Sequence, residues 1–252
     1  MKILSLLVIA LLSNPALLAQ NTVEARDIIA KIDRNEPVSY QGVTILGTLD
    51  LTELANKRSV REGQQNDSYR STVKVPVTFV NCTFKGDVIA YKSIPDGKRI
   101  WENTTVYSAD FDESVRFEAC EFTGESAFKY SAFRETALFT KNRFREEALF
   151  KYAKFAGSAD FTGSTFAGYA NFKYTNFREG SGFRQTTFTN YADFKYAEFS
   201  EGVDFSDARF GKIADFKYVR FPRGTNFASA RFDGDTDFKY ATMQGRKFAP
   251  ER

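Results

Sequence analysis

Six lysines and six tyrosines stand side by side at one fixed interval, and no other residues of this chain are so placed to do chemistry together. The pairs Lys129-Tyr130, Lys151-Tyr152, Lys173-Tyr174, Lys195-Tyr196, Lys217-Tyr218 and Lys239-Tyr240 recur every 22 residues. An ammonium beside an aromatic ring suits cation–π contact and the binding of an anionic or sugar polymer. It does not suit proton transfer near neutral pH, for which imidazole is the usual group, and the chain has no His. The same lack removes Ser-His-Asp and Cys-His nucleophiles and His-ligated metals. Two Cys cannot complete a thiolate zinc site, and no glycine-rich phosphate loop with its Lys is present. No catalytic residue, metal site or cofactor is expected.

What positions these pairs is a ladder of phenylalanine. Each Lys-Tyr pair follows a Phe (Phe128, Phe150, Phe172, Phe194, Phe216, Phe238), and from Phe111 to Phe238 successive Phe are six and five residues apart in alternation. That spacing fits neither a helix nor a long flat strand. It fits a solenoid that turns a corner about every five residues, four sides making a coil of 22. The residue two before each Phe shares the interior and must be small. Of the 24 such places up to Phe238, eleven hold Ala and most others Ser, Thr or Val. Outward positions vary freely, as at Arg134, Ala156, Arg178, Ser200 and Pro222, yet the Lys and Tyr columns do not. Two readings stay open. Tyr rings can stack at the rung spacing, with Lys stems over them and Asp193, Asp215 and Asp237 neutralising part of the row. Alternatively, the columns form a binding strip.

Ala109-Asp110-Phe111, Ala159-Asp160-Phe161, Ala170-Asn171-Phe172, Ala192-Asp193-Phe194 and Ala214-Asp215-Phe216 resemble the Ala-(Asp/Asn)-(Leu/Phe) unit of the pentapeptide-repeat proteins. The resemblance runs from about residue 75 to 243. It implies an all-β fold, a right-handed four-sided parallel β-helix. The family's usual coil has 20 residues, so the steps of six predict an extra residue at two of four corners.

In chain order, Met1-Lys2, an apolar run from Ile3 to Leu12 and Ala19 describe a secretory signal peptide over 1–19. The run is too short to span a bilayer. The mature protein is therefore expected to be exported, periplasmic or secreted from a bacterium. Residues 20–42 read as a capping helix and lead-in. Asn21 caps a helix over 21–34, with Val23, Ile28, Ile29 and Ile32 on one face. The β-helix is assigned to 43–243, with a C-terminal cap or tail at 244–252. Val43 to Leu54 reads as the lead-in coil, 55–70 as a polar surface excursion, and 84–105 as a degraded coil with Phe84 and Ile89 in register and Ile100 16 residues past Phe84, as Phe144 lies 16 past Phe128. Pro95 and Gly97 loosen one of its corners. Cys82 and Cys120 are expected on different sides of the coil, buried and free, with no disulfide.

The expected function is a non-catalytic exported scaffold or binding module. Its partner is a protein or an anionic polysaccharide of the cell envelope, reached through the Lys/Tyr ladder. Some pentapeptide-repeat proteins inhibit type II topoisomerases as acidic DNA mimics. Here 35 basic residues face 32 acidic ones, a balance that imitates no polyphosphate and argues for no nucleic-acid partner. Some right-handed β-helices are polysaccharide lyases built on long loops. The coils after residue 106 carry no insertion, which argues against catalysis. A protein-binding inhibitor of the topoisomerase-mimic type and a β-helix polysaccharide-active enzyme are the two alternatives.

Overall fold

The structure, a computed structural model, describes residues 21–60, 68–95, 104–248 and 250. The signal-peptide reading of 1–19 lies outside the described residues, as do Gly97 and Ile100. Among the described residues, short strands form four sheets of nine, eleven, seven and eight strands, one per side of a right-handed β-helix. Parallel pairing is in register at a 22-residue offset from coil to coil, as in Phe122 with Phe144 and Phe144 with Phe166. No helix among the described residues is long and apolar enough to cross a membrane.

The core is the predicted Phe ladder. Along the Phe128 column, ring centroids are 5.2, 5.0, 4.9, 4.9 and 4.9 Å apart up to Phe238. Each ring also meets the facing column edge-on. Phe172 lies at 83° to Phe161 and 88° to Phe183, the arrangement that ring quadrupoles favour. The five-residue steps carry a left-handed residue at the corner, and the six-residue steps absorb the extra residue.

Both ends are closed. The helix is Ala25–Asp33, shorter than predicted, and Asn21 does not cap it. Glu24 holds the N-cap position without a side-chain bond. Thr22–Glu24 instead pairs with Thr44–Leu46, because an open sheet edge offers Val23 a ladder that a helix end does not. Ala25, Ile28 and Ile32 enter the common core, so the helix covers the first coil. The stack begins before Val43, with Val38–Gln41 paired to Val77–Val80. At the other end Thr242–Met243 and Arg246–Lys247 form a hairpin that folds Phe248 onto Phe221, Phe227 and Phe238.

Residues 84–105 are not a coil. Tyr91–Pro95 runs antiparallel to Thr104–Phe111 as a hairpin standing out from the side. Val77 pairs with Val115 and Phe84 with Phe122, so this coil holds 38 residues, an ordinary turn plus a 16-residue insertion. Ile89 is half-exposed and Val88 and Ala90 point inward, Ala90 at the level where Phe128 sits one coil on. The excursion at 55–70 adds Arg58–Ser59 to the same sheet, antiparallel to Ser68–Val73.

The insertion also overturns the placement of the cysteines. Standing 38 positions apart, Cys82 and Cys120 occupy one column in adjacent coils, since Thr83 pairs with Glu121 directly beside them. Both are buried and free.

Candidate functional site: the lysine–tyrosine corner

The twelve residues named above come together along one corner of the rod. At each, the Phe carbonyl accepts from the residue three on, as from Phe172 to the Thr175 N–H at 3.1 Å. Tyr is the third residue of that turn and takes φ between 56° and 63° in all six coils. This left-handed region favours glycine and is unusual for a bulky residue. The other five-residue corner adopts the same sign of φ with Ala119, Lys141, Gly163, Gln185, Asp207 and Ser229. The turn therefore does not demand tyrosine, and something outside the backbone holds it there.

One such thing is stacking. From Tyr130 to Tyr240 the ring centroids are 4.8, 4.9, 4.8, 4.5 and 4.8 Å apart, with planes within 25° of each other. Tyr91, from the inserted hairpin, extends the column with a tilted contact to Tyr130 at 5.5 Å. Sequence spacing offered no sign of Tyr91, which lies off the 22-residue frame. Because each interior ring is sandwiched, its faces are used and its edges and hydroxyl face outward. A sugar ring laid flat on a tyrosine face has no place here. On one flank the tyrosines wall an open groove of about 760 Å³ with Glu198 and Arg220.

The lysines lie on the other flank and fall into two groups. Lys129, Lys151 and Lys173 sit over Tyr130, Tyr152 and Tyr174 at 5.0, 5.0 and 5.2 Å, and among the described residues they make no ion pair. Burial, then the charges of Lys129 and Lys173, hold the Lys151 ammonium below its ordinary pKa. Lys195 instead reaches Asp193 and Asp215 at 3.5 and 3.3 Å, and Lys217 reaches Asp215 and Asp237 at 3.3 and 3.1 Å. Lys239 lies over Tyr240 at 5.1 Å.

Lys239 makes no ion pair among the described residues although Asp237 precedes it by two, so for the other five the split follows the residue two before the lysine. In the last three coils it is Asp, whose Oδ1 accepts the Lys backbone N–H, at 3.0 Å for Asp193. Asn171 makes the same bond at 3.1 Å without bringing a charge, and Ala127 and Leu149 bring neither. Asp193 and Asp215 are nearly fully buried. Tyr169 and Tyr191 donate to them at 2.9 and 3.3 Å, and the Lys195 ammonium donates to the Tyr191 hydroxyl at 3.2 Å. Burial, then the Asp193 charge and hydrogen bond, push the Tyr169 hydroxyl well above its ordinary range. Burial opposes the charge on Lys195, but the Tyr191 hydroxyl and the two carboxylates outweigh it and raise its pKa. Tyr169 and Tyr191 were missed in the sequence, although their own 22-residue spacing was a signal that could have found them.

These features define a solenoid with a polarised corner. The family model for pentapeptide repeats matches residues 150–198 and 194–242, in nine copies. Residues 150–242 thus match the pentapeptide-repeat family, and the match suggests a non-catalytic repeat protein. No curated protein and no solved structure matches the chain.

Proposed function

We propose that the protein is an exported, non-catalytic binding rod that takes a linear acidic polysaccharide along the Lys129–Lys173 half of its corner. The observation that carries this reading is the uncompensated charge of Lys129, Lys151 and Lys173. Like charges directly opposite across strands are unfavourable, and in the following coils buried Asp residues offset them. In these three no carboxylate among the described residues does, while the tyrosines keep the row in file. A polymer with a carboxylate on each sugar supplies the missing charge at a comparable repeat. The sandwiched ring faces turn the reading away from a neutral glycan.

Co-sedimentation with polygalacturonate, with dextran as the neutral control, tests it. Binding to the acidic polymer that weakens as salt rises is the expected result. No binding, or equal binding to dextran, removes the reading.

A further inference from the structure

We infer that Cys82 and Cys120 are an oxidisable pair that closes a disulfide between adjacent coils. Thr83 pairs with Glu121 and Phe84 with Phe122, and the Glu121 N–H donates to the Cys82 carbonyl at 2.8 Å. Cys120 therefore stands one rung above Cys82. In-register strands lie roughly 4.8 Å apart, inside the ~4.4–6.8 Å Cα separation that a disulfide spans.

The side chains are arranged for it. The Cys120 thiol points toward the coil of Cys82, donating to the Phe79 carbonyl at 3.4 Å, and the Cys82 thiol leans the same way, 3.6 Å from the Tyr40 carbonyl. Closing the bond requires Cys82 to leave the Tyr40 carbonyl by turning about its Cα–Cβ bond, on a backbone register that is already set. Sulfur is not needed to fill these places. Higher in the column Asn142, Ser164 and Thr186 donate to the matching carbonyls at 2.8, 2.6 and 3.0 Å, and Ala208 occupies the next place with no such group. The two thiols instead flank a 38-residue coil, where Ala90 interrupts a Phe column. A cross-link closing that long loop would restrain the unfolded chain most where the ring stack is thinnest.

The chemistry balances as thiol–disulfide exchange with a disulfide-bearing oxidant, such as oxidised glutathione. Either cysteine can ionise and lead the attack before the coil closes, with the same balance; with Cys82 leading, the exchange runs in two steps. The Cys82 thiolate attacks one sulfur of the oxidant and expels the other as a thiolate. Cys120 then loses its proton, attacks the Cys82 sulfur and expels the second thiolate. Two protein thiols are oxidised, one disulfide is reduced to two thiols, and the two protons pass to the released thiolates. With both cysteines about 1% exposed, the exchange belongs to folding, before the coil closes over them.

The test is to refold the reduced full chain in a glutathione redox buffer, quench with acid, denature, alkylate, and read the intact mass and peptide map. One Cys82–Cys120 cross-linked peptide and no alkylation are expected, with Tm a few degrees above the reduced chain. That gain should vanish in Cys82→Ala and Cys120→Ala. Two alkylated thiols after refolding, glutathione left on either cysteine, or cross-linked dimers would overturn the inference. The wild-type mass decides the matter even if a variant fails to fold.

Discussion

The Lys195 ammonium lies 3.3 Å from the carboxylate of Asp215, a residue of the next coil that is itself 4% exposed. One lysine thereby ties two rungs through a nearly dry carboxylate, which also receives the Tyr191 hydroxyl and Lys217. Removing one partner of a fully buried pair costs ~3–5 kcal/mol. Here the lysines remain partly wet, so Lys195→Gln with Lys217→Gln should cost only about 1–2 kcal/mol. Chemical denaturation measures it, and unchanged stability would show that water already compensates the carboxylates.

The Tyr corner separates strain from stacking. Tyr174 holds φ 57° between neighbours 4.9 and 4.8 Å away. Tyr174→Ala loses both stacks, each worth about 0.5–1.5 kcal/mol, and keeps the left-handed strain. Tyr174→Gly loses the same stacks but relieves the strain, so it should be the more stable of the two by about 0.5–1 kcal/mol. Equal melting of the two variants would mean that the corner relaxes when the ring is gone.

Alkaline pH should loosen the C-terminal coils first. Tyr169 and Lys195 both have folded-state pKa values above their unfolded ones. Above the unfolded values, about 10 for Tyr and 10.4 for Lys, the folded state holds more protons than the unfolded state. Stability is therefore fully present below about pH 10 and falls as pH rises further. Tyr169→Phe should flatten part of that fall in a Tm–pH profile. A profile identical to wild type would remove Tyr169 from the account.

Truncating one interior ring should have a local cause and a large effect. Phe172 is fully buried between Phe150 and Phe194, so Phe172→Ala leaves a cavity that rigid rungs cannot close. A loss of ~3–5 kcal/mol is expected. Thermal melting checks it, and a loss below 1 kcal/mol would mean that the column collapses around the gap.

The repeats were legible because each coil repeats one local rule. A Phe faces inward every five or six residues with a small residue two before it, and the stack from Phe111 to Phe238 follows from that alone. The rule says nothing where a coil is interrupted. A hairpin at 91–111 pairs with itself, so its residues need not keep the frame, and the 16-residue coincidence between Phe84 and Ile100 passed for register. The same error placed Cys82 and Cys120 on different sides. The helix start failed for a related reason, since Asn21-x-x-Glu24 reads as a capping box until a sheet edge competes for Thr22–Glu24. At the corner, the columns could be read from spacing. The split of the lysine row rests on burial and on a turn bond that Asn171 and Asp193 make alike, which spacing alone does not reveal.

The central claim concerns which lysines meet the polymer, and the salt-dependent retention of two variants on immobilised polygalacturonate tests it most directly. Lys129→Gln/Lys151→Gln/Lys173→Gln removes charges that pair with no carboxylate among the described residues. It should fold as well as wild type and lose both retention and its salt dependence. Lys195→Gln/Lys217→Gln removes charges already neutralised by Asp193, Asp215 and Asp237. It should melt earlier yet elute at the wild-type salt concentration. Equal loss of retention in the two variants, or wild-type retention in the first, would contradict the account.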